Sequence, residues 1–164
     1  MAAPAAAQHT GHHGHHAPGS ALADTTSVPA GLSPGEMAGL LEGRGLGLAR
    51  PAELRSYPGP LHVLELADSL ALSPDQHAEA QRLRTAVLHE ATALGARIVQ
   101  MERALDALFA QGAATPETVD RMTGHIAQLR GQLRAAHLRA HVAMRAALTP
   151  DQIATYDRLR GHTR

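Results

Sequence analysis

Two histidines, His137 and His141, stand four residues apart in a long Ala- and Arg-rich stretch without proline. Residues at this spacing lie on one face of an α-helix, with their Cβ atoms about 5–6 Å apart, so that both imidazoles can bind one metal ion. Met144 follows three residues later and adds a soft thioether that suits copper. The pattern predicts a metal site; the alternative is an incidental pair of histidines on a solvated helix face.

Two other pairs of side chains could complete such a site. His89 and Glu90 lie level with His137 if the chain reverses near residue 113, although the hydrophobic seam places Glu90 on the opposite edge of the helix contact. Glu90 would then need rotated helices or a second subunit. His62 and Glu65 have the i, i+3 spacing of ligands on one helix face. The alternative for His62 and Glu65 is the polar edge of an amphipathic helix.

A group of histidines interleaved with glycine and threonine lies close to the N-terminus. Its members are His9, His12, His13, His15 and His16. Such an array chelates nickel, copper or zinc, but ordering a flexible segment costs entropy, so we expect weak and unselective binding. The alternative is a fragment of a purification tag, although tags are usually uninterrupted runs of histidine.

The composition excludes several classes of function. The 15 basic and 15 acidic residues cancel, so no basic excess exists to bind nucleic acid. Cysteine is absent, which excludes disulfides, thiolate zinc sites and thiol catalysis. We find no apolar run of 18 residues that would span a membrane. No phosphate-binding loop and no Ser–His–carboxylate set is recognisable, so we predict that the protein is not an enzyme.

The first part of the chain predicts its location and its domain organisation. Residues 1–32 are rich in Ala, Gly, Pro and His, which predicts a disordered tail, and residues 33–161 are expected to form one helical domain. The small residues of segment 4–7 look like the end of a cleaved signal peptide. This favours a periplasmic protein, and the alternative is a short cytosolic tail.

Four helix starts share one pattern, in which a hydroxyl residue precedes proline. Ser33, Ser73, Thr115 and Thr149 are each followed by Pro, so each can cap a helix whose first residue is that Pro. The pattern predicts a short helix, two long helices ending near residues 110 and 147, and a final short helix ending near residue 160. A further apolar helix is expected over residues 61–70.

The two long segments carry apolar residues at alternating spacings of three and four. These are Val87, Ala91, Leu94, Ile98, Met101, Leu105 and Leu108 in the first, and Val119, Met122, Ile126, Leu129, Leu133, Ala136, Ala140 and Ala143 in the second. This period predicts an all-α fold built on an antiparallel helical hairpin. A hairpin of two helices about 45 Å long has too little core to stand alone, so we expect cover from the short helices and from a second copy in a homodimer.

Two five-residue stretches, one on each side of the hairpin, resemble the paired LTxxQ motifs of the Spy/CpxP family. The residues that carry the resemblance are Leu72, Ser73 and Gln76 in one copy and Leu148, Thr149 and Gln152 in the other. The first copy has serine in place of threonine and retains the hydroxyl cap. Two copies 76 residues apart are much more specific than one, and the resemblance covers about residues 33–161.

The resemblance implies a four-helix, cradle-shaped, dimeric periplasmic protein made under envelope stress. The family includes chaperones, zinc-binding proteins and metal sensors, so the partner it implies is a sensor kinase, an efflux system or an unfolded protein. Chaperone members have a basic concave surface, whereas this chain is neutral. We therefore expect a heavy-metal-binding protein of the resistance or sensing type, which captures zinc, copper or nickel through histidine. The alternative is an ATP-independent chaperone or an adaptor.

Overall fold

A computed structural model describes residues 27–161, which form six helices and, within that range, no strand. The helices are α1 (Pro34–Leu41), α2 (Arg50–Glu53), α3 (Pro60–Glu65), α4 (Pro74–Ala110), α5 (Pro116–Ala147) and α6 (Pro150–Arg160). Helices α4 and α5 pack together as a hairpin, and the shorter helices flank it. The all-α fold and the long hairpin are therefore confirmed, while the homodimer stays a prediction.

The predicted hydroxyl caps begin four of the helices. The Ser73 hydroxyl accepts a hydrogen bond from the backbone N–H of Gln76, and the Gln76 side chain accepts one from the N–H of Ser73. The same reciprocal arrangement begins α5 at Thr115 and α6 at Thr149. Because each cap satisfies backbone donors that would otherwise lack partners, the chain fixes where its helices begin.

The hairpin core divides into two apolar clusters. One contains Leu32, Leu40, Ala91, Leu94, Ile98, Val99, Leu129 and Leu133, and the other contains Val63, Leu70, Ala80, Leu83, Met144, Leu148 and Tyr156. The first cluster joins α1 to the middle of the hairpin, and the second joins α3 and α6 to its open end. Towards the hairpin turn the predicted seam residues Leu105, Leu108 and Val119 are only half-buried.

Helix α1 crosses α4 at a glycine. A Cβ atom added to Gly95 would clash with the carbonyl of Leu40, so the two backbones touch at this point. Arg130 of α5 binds Glu36 of α1 at 2.8 Å and Glu102 of α4 at 3.2 Å. These contacts fix α1 across both long helices.

The helix expected over residues 61–70 is shorter than the sequence predicts. It ends at Glu65 and is followed by turns, in which Ala71 takes a left-handed φ of +47°. Leu70 is buried, and its carbonyl accepts a hydrogen bond from the side chain of Gln152. Tertiary contacts therefore override the apolar pattern, because the chain must reverse here to enter α4.

The segment before α1 lies along α4. Leu32 is buried in the first core cluster, and the N–H of Ala30 donates to Asp106 at 2.6 Å. The rest of the predicted tail, residues 1–26 with its five histidines, lies outside the described residues. Within residues 27–161 no helix is long and apolar enough to cross a membrane.

Candidate functional site

A cavity of about 130 Å³ lies where α3 and the segment before it meet the hairpin. Its polar and charged lining residues are Glu53, His62, Arg84, His137 and His141. Helix α5 supplies the two later histidines from neighbouring turns of one face, as their spacing predicts. His62 lies in α3, and Glu53 is the last residue of α2. The structure thus brings three of the predicted ligands, His62, His137 and His141, to one cavity.

His137 has a buried nitrogen without a partner. His137 is only 8% exposed, and its Nε2 makes no hydrogen bond. Burial lowers the pKa of His137, the neighbouring charges of His141 and Arg84 lower it further, and Glu90 opposes them. The ring is therefore held neutral near pH 7, which is the form that binds a metal ion.

His141 is oriented by the backbone of the segment that crosses it. Its Nδ1 lies 2.7 Å from the carbonyl oxygen of Tyr57. Only an N–H can make this bond to a carbonyl, so Nδ1 carries a proton and Nε2 is the nitrogen available to an ion. A backbone carbonyl on the far nitrogen is the usual support of a metal-binding histidine.

The segment that crosses His141 is tightly held. Arg145 donates to the carbonyl of Ser56 at 2.6 Å, and its guanidinium lies 4.7 Å from the centre of the Tyr57 ring. Ser56 has a φ of +62°, which is strained for a residue other than glycine. A Cβ added to Gly59 would lie 2.7 Å from Cε1 of His141. Glycine at this position therefore allows the segment to approach the imidazole.

His62 lies between two carboxylates. Its Nδ1 is 2.8 Å from Oε2 of Glu65, and its Nε2 is 4.0 Å from Oε1 of Glu53. Glu65 therefore fixes the proton on Nδ1 and turns Nε2 towards Glu53. Two ligand atoms on one tetrahedral zinc ion are about 3.4 Å apart, so the gap between His62 and Glu53 is close to that of a shared ion.

The side chains are not yet arranged as a closed metal site. Among the described residues, no group of three or more His, Asp and Glu side chains is placed to hold an ion. The donor set of three imidazoles and one carboxylate nevertheless suits zinc, copper or nickel. The unpaired Nε2 of His137 also fits such an ion. Binding would require the side chains to rotate and close on the ion.

The other predicted ligands lie elsewhere. Met144 is fully buried in the second core cluster. Glu90 forms an ion pair with Arg139 at 2.8 Å, and exposed His89 lines a separate open groove with it. Of the histidines in the cavity, Glu65 contacts only His62, and it does so at Nδ1. Metal binding by these four residues stays a prediction, as does binding by the tail histidines.

Sequence reasoning did not identify Glu53, the carbonyl of Tyr57 or Gly59 as parts of this site. Glu53 lies in a helix of four residues, and the other two lie in the irregular segment between α2 and α3. Such short segments have no periodicity that predicts which side they present. The only signal was the rigid break at residues 57–60, where proline and glycine alternate.

A second polar cluster joins the two motifs. The side-chain amides of Gln76 and Gln152 exchange hydrogen bonds of 2.8 and 2.9 Å. Gln76 also donates to the carbonyl of Ala147, and Gln152 donates to that of Leu70. The two amide oxygens accept from the N–H groups of Ser73 and Thr149, respectively. All donors and acceptors of both amides are satisfied, and we call this cluster the glutamine junction.

Comparison with models of protein families matches residues 61–160 to the family described as LTXXQ motif family protein. The match begins at α3 and ends with α6, so it includes both halves of the glutamine junction and three of the four ligand candidates in the cavity. Comparison with curated proteins gives no match, and comparison with solved structures gives none either.

Proposed function

The chain belongs to the LTXXQ motif family, and from this membership and the histidine cavity we propose that it is a periplasmic protein that captures a divalent transition metal ion. Proteins of this family are generally non-enzymatic and typically periplasmic. The proposed role is therefore resistance or sensing, in which the bound ion is the cargo or the signal.

The observation that carries the proposal is the unpaired Nε2 of His137. A buried polar atom without a hydrogen bond costs free energy. Water or an ion that supplies the missing partner recovers this cost. The pKa of His137 is lowered. The neighbouring His141 already has its Nδ1 bound to the carbonyl of Tyr57. This environment favours a metal ion over a proton.

The proposed ligands are His137 and His141 from α5, with His62 and Glu53 from the opposite side of the cavity. An ion bound by all four would join α2 and α3 to the hairpin. The segment between α2 and α3 is already held by Arg145, so such a bond would act on the two short helices on either side of it. Metal binding would thus change the surface that this side of the protein presents to a sensor kinase, an efflux system or a second subunit.

One observation favours a chaperone or an adaptor as the second candidate. Several large apolar side chains are exposed, among them Leu54, Phe109, Val142 and Leu159. Apolar side chains of this kind can hold an unfolded protein. They are scattered over several elements, however, and the net charge of the chain is zero, so neither feature favours this candidate over metal binding.

The test is calorimetric titration of zinc, copper and nickel into a tail-silenced chain, in which His9, His12, His13, His15 and His16 are replaced by alanine. We expect one ion per chain with a dissociation constant of about 1 μM or tighter. His137→Gln should weaken binding about 100-fold or more, because it removes one ligand of a small set.

The matched control is His125→Gln, which changes an exposed histidine of the same helix. It should leave the affinity unchanged. Absence of binding in the tail-silenced chain, or equal losses from the two substitutions, would contradict the proposal. If His137→Gln left metal binding intact while the protein suppressed client aggregation, the chaperone candidate would replace it.

A further inference from the structure

A second cavity, of about 450 Å³, lies between α5 and the chain segment that includes α1 and the turn after it. It shares no residue with the histidine cavity. Four of its lining residues are leucines, Leu40, Leu46, Leu48 and Leu133, and the others are Glu36, Arg130, Gly131 and Arg134. A volume of this size is within the range that binds small molecules. We call it the leucine pocket.

The walls of the leucine pocket are well defined. Leu40 and Leu133 are buried in the core, whereas Leu46 remains 43% exposed. Leu46 has a left-handed φ of +46°, which is unusual for a leucine, and a Cβ added to Gly39 would clash with its side chain. The backbone conformation and the missing Cβ of Gly39 together hold Leu46 as an apolar wall beside solvent.

The two arginines that line the pocket differ in their partners. Arg130 is bound by Glu36 and by Glu102, so it is neutralised and fixed. Arg134 is exposed and makes no hydrogen bond or ion pair within the part of the chain that the structure describes. Two cations and one anion line the pocket, and the cation without a partner lies one helical turn beyond the fixed one. The pocket therefore combines apolar walls with one available guanidinium.

We propose that the leucine pocket binds one aliphatic carboxylate, with the hydrocarbon chain against the leucines and the carboxylate on Arg134. A guanidinium binds a carboxylate through two parallel hydrogen bonds, which a neutral or cationic head group cannot form. Burial of the chain supplies the remaining affinity through the hydrophobic effect. The proposal is independent of metal binding, because no residue is shared between the two sites.

The experiment is calorimetric titration of the full chain with decanoate, decanol and decylamine, each below the concentration at which it aggregates. We expect saturable binding of one decanoate per chain. Decanol and decylamine should bind at least about tenfold more weakly. Neither can make the charge-assisted hydrogen bonds of a carboxylate to Arg134, and one such bond contributes about this much to affinity. Absence of decanoate binding, or equal affinity for all three compounds, would overturn the proposal.

Two matched pairs of variants test the site, and the arginine pair separates the pocket from the neighbouring groove, because Gly131 lines both. Arg134→Gln should weaken decanoate binding about tenfold, whereas Arg97→Gln, which changes an arginine of the neighbouring groove, should have no effect. Gly131→Leu places a side chain at the pocket wall and should abolish binding. Gly124→Leu makes the same change one heptad earlier on α5, outside the pocket, and should not change binding.

Both glycines face open space and lie inside a helix, so neither leucine should prevent folding. If Arg97→Gln weakened binding as much as Arg134→Gln, the ligand would bind in the groove or through nonspecific electrostatic attraction. Unchanged binding in Gly131→Leu would also exclude the leucine pocket.

Discussion

The glutamine junction and the histidine cavity are two polar clusters at the same end of the hairpin, and they differ in how far their hydrogen bonds are satisfied. In the junction both side-chain amides have all their partners within the protein. In the cavity Nε2 of His137 has none. Both clusters join chain segments far apart in sequence, and both are at least partly buried.

This difference separates a structural role from a binding role. A polar network with every partner in place fixes one arrangement of the chain and has nothing left to bind a ligand. A buried nitrogen without a partner in the protein lowers stability unless water or an ion binds it, so it is available to a ligand. We therefore assign the junction to the fold and the cavity to function.

The largest effect on stability should come from the glutamine junction. Gln152→Met removes one partner from each end of the Gln76 amide and takes away the side-chain partner of the Leu70 carbonyl and of the Thr149 N–H, so the free energy of unfolding should fall by about 2–3 kcal/mol. Gln76→Met should behave similarly, and the double variant should lose less than the sum of the two, because it removes both unsatisfied amides. Chemical denaturation of the four proteins measures this coupling. Additive losses, or a loss of metal affinity in these variants, would break the distinction between the clusters.

Gly59→Ala should affect both stability and the site. The added Cβ would lie 2.7 Å from the ring of His141, and overpacking of this kind costs about 1–3 kcal/mol. Gly124→Ala is the control, since it adds a methyl group in open space on a helix and should stabilise the protein by up to about 1 kcal/mol. If thermal and chemical denaturation gave equal results for the two variants, the segment over His141 would not be as close as described.

Stability should also decrease in acid because of His137. Its pKa is lowered in the folded protein by burial and by the nearby charges of His141 and Arg84, so the unfolded chain takes up a proton first. The contribution of the neutral ring is complete above about pH 6.5 and is lost as the pH falls from there to the folded pKa, with a slope of at most about 1.4 kcal/mol per pH unit. Denaturation between pH 5 and 8 measures this slope. His137→Gln should flatten it, and an unchanged slope would show that other groups cause the acid sensitivity.

The smallest effect is expected at Glu90. Its ion pair with Arg139 is exposed to solvent, so Glu90→Gln should change the free energy of unfolding by less than about 0.5 kcal/mol. Metal affinity should stay within about twofold, because the carboxylate lies outside the cavity lining. A loss of metal affinity of about tenfold or more would instead make Glu90 a ligand, as its position opposite His137 in the hairpin predicted.

The sequence predicted the elements of this fold because their signals are local. The caps at Ser73, Thr115 and Thr149 determine where helices begin, and the apolar seam determines which faces of α4 and α5 meet. The end of α3 was not predictable in this way, since it depends on Leu70 reaching the core and on a hydrogen bond from Gln152, 82 residues away.

The predictable parts of the site also depend on local signals. The spacing of His137 and His141 places them on one helix face whatever surrounds that helix. What covers that face was not predictable, because the covering segment carries no periodic pattern and its position depends on contacts such as that of Arg145 with Ser56. The incidental histidine pair on a solvated face was therefore a reasonable alternative, yet both rings are buried, at 8% and 7% exposure.

Metal binding in the histidine cavity is tested most directly by recording the imidazole ¹⁵N resonances of the tail-silenced chain while zinc is added. If the histidine cavity binds the ion, the Nε2 signals of His137, His141 and His62 should shift together and stop shifting at one equivalent, while those of His125 stay in place. If His137 and His141 were unchanged, or if only exposed histidines such as His89 and His125 responded, the cavity would not be the metal site.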